Sequence, residues 1–329
     1  MSVNPVRAQR ISTDPIVIAN SVAGYGPIFN AGVIWYDDRF HLFARAVRLG
    51  YTRNAGDGAR FLNYVSDIIV MTSIDGRHYE FEYVLAAPSE HVAALEDPRV
   101  QWVSSDGYRH LVMTYTELPC DPAEVWRIGA ARLDWVNGRF EVVDGSTVLL
   151  GPEGIANKDA VVFNLADGRV AMIHRIHPNM QLAVFDSLDH LWHASDDYWR
   201  RYLAQLEMHV ILTPTPGALG IGAGAPPIGF GDVQLLFFHE RDATGRYTAK
   251  VALLDAASGR VRSLLDEPVL VPELAWEIEG DVDDVVFVQG AHIKPDGSVY
   301  LTYGAADRCV GAAVVQFDQI EVLLSGEAA

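Results

Sequence analysis

Paired β-type runs recur at roughly 60-residue intervals along the chain, and that period limits what it can fold into. The first run of each pair reads FHLFARAV from Phe40, HLVMTYTEL from His110, RVAMIHRI from Arg169, VQLLFFHER from Val233 and SVYLTYGAA from Ser298. The second reads SDIIVMTSIDG from Ser66, WRIGAARLDWVNG from Trp126, MQLAVFDSLD from Met180, YTAKVALLDAASG from Tyr247 and CVGAAVVQFD from Cys309. Asp75-Gly76, Asp106-Gly107, Asn137-Gly138, Asp167-Gly168 and Asp296-Gly297 are tight-turn dipeptides, because glycine accepts the positive φ such turns require. Five hairpin-rich units predict an all-β fold, a five-bladed β-propeller in which each blade buries its faces against its neighbours and the ring leaves no long free edge. A sandwich would not carry this period. The expectation is a single domain over residues 1–329, with 1–26 as an N-terminal extension. One stretch, DDYWRRYLAQLEMH from Asp196 to His209, has helical character and predicts a short helical insertion between blades, within about 190–210. Its Trp192, Tyr198 and Trp199 either stack on a sugar or fill the insertion's own core.

Composition narrows the function. Half of the 329 residues are hydrophobic and 21% are charged, as in a folded globular protein. Against 43 acidic residues stand 25 basic ones, a formal charge of −18, so nucleic acid and membrane are poor partners. The N-terminal stretch lacks the apolar core of a signal peptide, and the expected location is the cytoplasm. Cys120 and Cys309 lie far apart without a CxxC, and no HExxH or GxSxG occurs, so neither metal nor cofactor is expected.

Four clusters remain as candidates. In Glu96-Asp97-Pro98-Arg99 the proline keeps Asp97 extended, leaving either a turn carboxylate or an acid held at a propeller mouth by Arg99. The run from Gly220 to Ile228, GIGAGAPPI, has no Gly-Lys-Ser/Thr and no following helix, and predicts a rigid loop that brings backbone close to a ligand or another strand. Asn157-Lys158-Asp159, His174-Arg175 and His239 are either structural or a cationic pocket for an anion. Glu277, Glu279, Asp281, Asp283 and Asp284 read as a solvated acidic loop. Asn30, Arg45 and Asp307 complete the set.

In order, FNAG, SDI…SIDG, EDPR, NKDAVVF, MIHR, IGAGAPPI, FFHE, YTAKVALLD, VVFVQGA and YGAAD run from about Phe29 to about Ala312. By these motifs the chain resembles glycoside hydrolase family 130, the mannoside phosphorylases and related β-mannosidases. The resemblance implies a five-bladed propeller, often oligomeric, that cleaves β-mannosides with inversion. In its phosphorylases inorganic phosphate is the co-substrate and mannose 1-phosphate the product. It assigns the catalytic acid to Asp97, whose proton reaches the glycosidic oxygen through a sugar hydroxyl. Asn30, Arg45 and Asp307 fall on sugar-pocket positions, and Lys158, Arg175, His239 and Tyr247 on phosphate-binding ones. Two residues depart from that pattern: Gly220 replaces a lysine and Asp159 an asparagine, removing a cation and adding an anion. A hydrolase on the same scaffold would need a second carboxylate, for which Glu240 and Glu277 are the candidates. A non-catalytic sugar-binding propeller is the third reading, and Asp97 argues against it.

Overall fold

The computed structural model describes residues 6–53, 61–317, 319 and 320. Five antiparallel sheets follow one another along the chain. The first blade is Tyr25–Tyr36, Arg39–Arg48, Ser66–Ser73 and Glu80–Ala86; the second is Val92–Ser105, Tyr108–Pro119, Arg127–Val136 and Arg139–Val142, with Val148–Leu150 also on its third strand. Lys158–Asn164, Val170–Ile176, Asn179–Phe185 and Val210–Leu212 make the third. In the fourth, Gly220–Ala223 and Ile228–Phe230 share the inner position beside Val233–Arg241, Tyr247–Asp255 and Val261–Leu264. Val286–Ile293, Ser298–Ala305 and Cys309–Gln316 form the fifth, whose outer strand is Gln9–Arg10 from the other end of the chain. Part of the expected N-terminal extension is therefore the strand that closes the ring.

The runs read from sequence are the second and third strands of each blade. They are buried on both faces, since every blade is sandwiched between two others. Along Arg39–Arg48, Leu42 and Ala44 pack toward the fifth blade while Phe43 packs toward the second, as the two-residue alternation of a strand dictates. Five apolar clusters result, one at each junction between neighbouring blades. Each buried aliphatic side chain contributes on the order of 1.5–3 kcal/mol.

The helical segment lies inside the third blade, between its third and fourth strands, not between blades. It forms three short helices, Leu188–Trp192, Asp196–Ala204 and Leu206–His209, the first two capped by the Ser187 and Ser195 hydroxyls. Trp199 and Tyr202 are buried against the second and third blades, and the Tyr202 hydroxyl meets His174 Nε2 at 2.9 Å. The insertion's rings thus pack into the apolar junction between the second and third blades. No helix among the described residues is long and apolar enough to cross a membrane.

Candidate active site

The inner strands are not regular, and their irregularity builds the site. Register breaks fall at Asn30 in the first blade, Asp97-Pro98 in the second, Asp159-Ala160 in the third and Gln289 in the fifth. Asn30, Asp97 and Asp159 adopt φ of +46°, +54° and +55°, a left-handed conformation that Asn and Asp tolerate better than other residues bearing a side chain. A bulge there re-aims a polar side chain. In the fourth blade the inner strand is interrupted instead, by Gly224-Ala225-Pro226-Pro227. A Cβ on Gly224 would lie 2.3 Å from the Val288 carbonyl, so this loop lets the fourth and fifth inner strands close on each other.

A cavity of about 340 Å³ opens over these breaks, and every blade contributes to it. Asn30, Arg45 and Tyr64 come from the first, Glu96 and Asp97 from the second, Lys158 from the third, Tyr247 from the fourth, Phe287 and Asp307 from the fifth. Asp97 is 4% exposed. Its Oδ1 accepts from Asn30 Nδ2 at 2.7 Å and from Arg45 Nη1 at 3.2 Å, and its Oδ2 is 4.0 Å from Lys158 Nζ. Arg45 Nη2 also donates to Tyr64 at 2.7 Å and to Glu96 Oε1. Arg99, expected to hold the Asp97 carboxylate, instead donates to its backbone carbonyl at 3.1 Å; its other bonds reach the Ala223 and Gly224 carbonyls and Asp159.

Burial pushes the Asp97 carboxyl up, but Arg45, Lys158, Arg99 and the Asn30 bond outweigh it and hold the group below the usual range. Glu96 goes the other way: burial dominates, Asp97 adds to it, and its carboxyl is raised despite Arg45. The two neighbouring carboxyls are thus pushed apart, Glu96 toward its neutral form and Asp97 toward its ionised form.

Beside this cavity lies a second group centred on Asp159. Lys158 and Arg175 are cross-strand partners. Asp159 Oδ2 is 3.1 Å from Arg175 Nη2 and 3.8 Å from His239 Nε2, and its Oδ1 accepts from Arg99 at 3.2 Å. Gly222 makes this packing feasible, since a Cβ there would lie 2.3 Å from Asp159 Oδ2 and 2.6 Å from His239 Cε1. The same construction on Gly220 falls 3.6 Å from Arg175 Nη1. Burial lowers His239 to about 3, so its imidazole is neutral at pH 7. Tyr247 approaches it with ring centroids 5.9 Å apart.

Lys158, Arg175, His239 and Tyr247 are therefore contiguous, although Arg175 and His239 stand behind the cavity wall. Glu240 and Glu277 are not brought there. Glu240 points to the other face of its strand, where it pairs with Lys250 at 2.8 Å and accepts from the Thr215 amide at 2.8 Å. Glu277 is fully buried, not solvated as its acidic neighbourhood predicts. It accepts from Arg10 Nε at 2.8 Å, Arg10 Nη2 at 2.7 Å and Tyr303 at 2.8 Å. His174 is likewise structural, held at its two nitrogens by Asn157 and Tyr202 and lowered to about 3 by burial. Glu96 and Tyr64 were missed as cavity residues; the glutamate stands in the EDPR motif, whereas nothing local marks the tyrosine.

The five-bladed propeller thus gathers a buried carboxyl and neighbouring cations in one cavity to which every blade contributes. The profile of the family described as β-1,4-mannooligosaccharide phosphorylase matches residues 4–325. The chain belongs to that family, glycoside hydrolase family 130. It is similar to a 1,2-β-oligomannan phosphorylase of Thermoanaerobacter sp. (strain X514), 28% identical over 96% of this chain and 99% of that protein. A β-1,2-mannobiose phosphorylase of the same organism is 30% identical over the same shares. Among solved structures, the β-1,2-mannobiose phosphorylase of Listeria innocua in complex with β-1,2-mannobiose superposes with a TM-score of 0.72 at 19% identity, covering 97% of this chain and 99% of that one.

Proposed function

We propose that this protein is an inverting β-mannoside phosphorylase that uses inorganic phosphate to release mannose 1-phosphate. The supporting observation is the approach of Lys158 to the buried Asp97 carboxyl, with Arg175 as the cross-strand partner of Lys158. Phosphate is already a nucleophile at neutral pH, so its attack on the anomeric carbon needs no protein base. One acid suffices, to protonate the departing glycosidic oxygen. Asp97 serves as that acid, while Asn30 and Arg45 fix its orientation and Asp307 contributes to the sugar pocket. Lys158 and Tyr247, which line the cavity, receive the phosphate, with Arg175 and the neutral His239 behind them completing the site.

Hydrolysis would require a carboxylate poised over water, and neither Glu240 nor Glu277 is free for that role. The relatives named for β-1,2 linkages make β-1,2-mannobiose the first substrate to test. Incubated with phosphate, the enzyme should yield mannose 1-phosphate visible by ³¹P NMR, with negligible turnover when phosphate is omitted. Release of free mannose alone at an unchanged rate without phosphate would establish the hydrolase instead.

A further inference from the structure

Lys158 belongs to two sites at once. Its ammonium faces Asp97 Oδ2 at 4.0 Å, which is its one ion pair among the described residues. It lines the cavity, and its side chain keeps 23% exposure. The other cations around Asp97 are committed elsewhere. Arg45 is tied to Glu96 and Tyr64 as well as to Asp97, and Arg99 is fixed by two backbone carbonyls of the fourth blade and by Asp159. Arg175, across the strand pair, is held by Asp159 at 3.1 Å and by the Ile221 carbonyl at 3.2 Å. Of the charges that keep Asp97 ionised, only the Lys158 ammonium is loosely held and open to a ligand.

We propose that phosphate arms its own general acid: by drawing the Lys158 charge toward itself, it lets Asp97 take up a proton. This rests on the phosphorolytic reading and adds a coupling between its two reactants. Asp97 faces Asn30 and Arg45 from the first blade, Glu96 and Arg99 on its own strand, and Lys158 and Asp159 from the third. A phosphate dianion at Lys158 adds negative charge on the one side where Asp97 had a mobile cation, and the carboxylate becomes more basic. The proton comes from solvent on binding. During reaction the phosphate oxygen bonds to the anomeric carbon, the glycosidic bond breaks toward its oxygen, and that oxygen takes the proton held by Asp97. The sugar phosphate then sheds the proton that hydrogen phosphate carried in, so no proton is gained or lost over the cycle.

Calorimetric titration with inorganic phosphate near pH 6.5, in buffers of different ionisation enthalpy, counts the protons taken up per phosphate bound. Wild type should take up more than Asp97→Asn, because the anion's own titration is common to both. Lys158→Gln, as the second variant, should shrink the difference and move the alkaline limb of its kcat/KM profile to higher pH. Equal proton counts in wild type and Asp97→Asn, with phosphate bound and mannose 1-phosphate formed, would overturn the coupling alone. Absence of both phosphate binding and mannose 1-phosphate would overturn the coupling together with the phosphorolytic reading.

Discussion

Two aspartates in left-handed conformations divide the chemistry between them. In the proposed mechanism Asp97 gives the proton, and an amide in its place keeps the size and the Asn30 and Arg45 contacts but cannot act as the acid. Asp97→Asn should therefore lower kcat by about 10²- to 10⁴-fold with the fold intact by circular dichroism; kinetics on β-1,2-mannobiose that retain near wild-type kcat would refute the acid assignment. Asp159 does the opposite, occupying as a fixed anion the arginine and histidine that a phosphate would use. Removing its charge while keeping its shape, Asp159→Asn, should lower the KM for phosphate by about tenfold, on the order of 1.4 kcal/mol. A raised KM would mean that the carboxylate positions Arg175 more than it neutralises it. These roles were only half legible in the sequence. EDPR and NKD mark the residues, but whether Arg99 grips a carboxylate or a carbonyl depends on a bulge that places Asp159 and the Gly224 loop around it.

At the scale of elements, the second and third strands were readable because alternation survives in them uninterrupted. The inner strands were not, since Asn30, Asp97, Asp159 and Gln289 break their periodicity, and they surface in the sequence as motifs instead of strands. Turns show the same divide. Asp106-Gly107 and Asn137-Gly138 make two-residue hairpins with both φ positive, yet Asp37-Asp38 does so as well, at φ of +48° and +57°, without a glycine to announce it. The glycines that matter most lie inside strands. A Cβ on Gly304 would fall 1.8 Å from Asn30 Oδ1, so Gly304→Ala should push Asn30 off Asp97, destabilise the fold by about 1–3 kcal/mol and cut kcat. Wild-type kcat in that variant, measured alongside thermal unfolding, would show that the Asn30 contact is dispensable.

The whole molecule depends on how the ring closes, and this was the least legible feature, because Gln9–Arg10 is too short to show any periodicity. The closing strand is clasped by Arg10 on Glu277, which also accepts from Tyr303 and the Glu273 and Leu274 amides. Removing one partner of such a buried pair costs on the order of 3 kcal/mol, so Glu277→Gln should lower the melting temperature without altering the KM for phosphate. Burial pushes the Glu277 carboxyl up, but its five donated bonds win and hold it below the ordinary range. Its stabilisation is thus full above the unfolded value of about 4.3 and lost as pH falls through the lower folded value. Urea unfolding from pH 7 to pH 3 should show a smaller pH dependence in Glu277→Gln than in wild type; identical slopes would deny the clasp this role. For the enzyme as a whole, the decisive quantity is the anomeric form of the product as it first appears. Proton NMR of β-1,2-mannobiose turned over in phosphate should show α-mannose 1-phosphate from the earliest time point, whereas a β-configured phosphate ester, or free mannose in its place, would contradict a single-acid inverting site at the axis of this propeller.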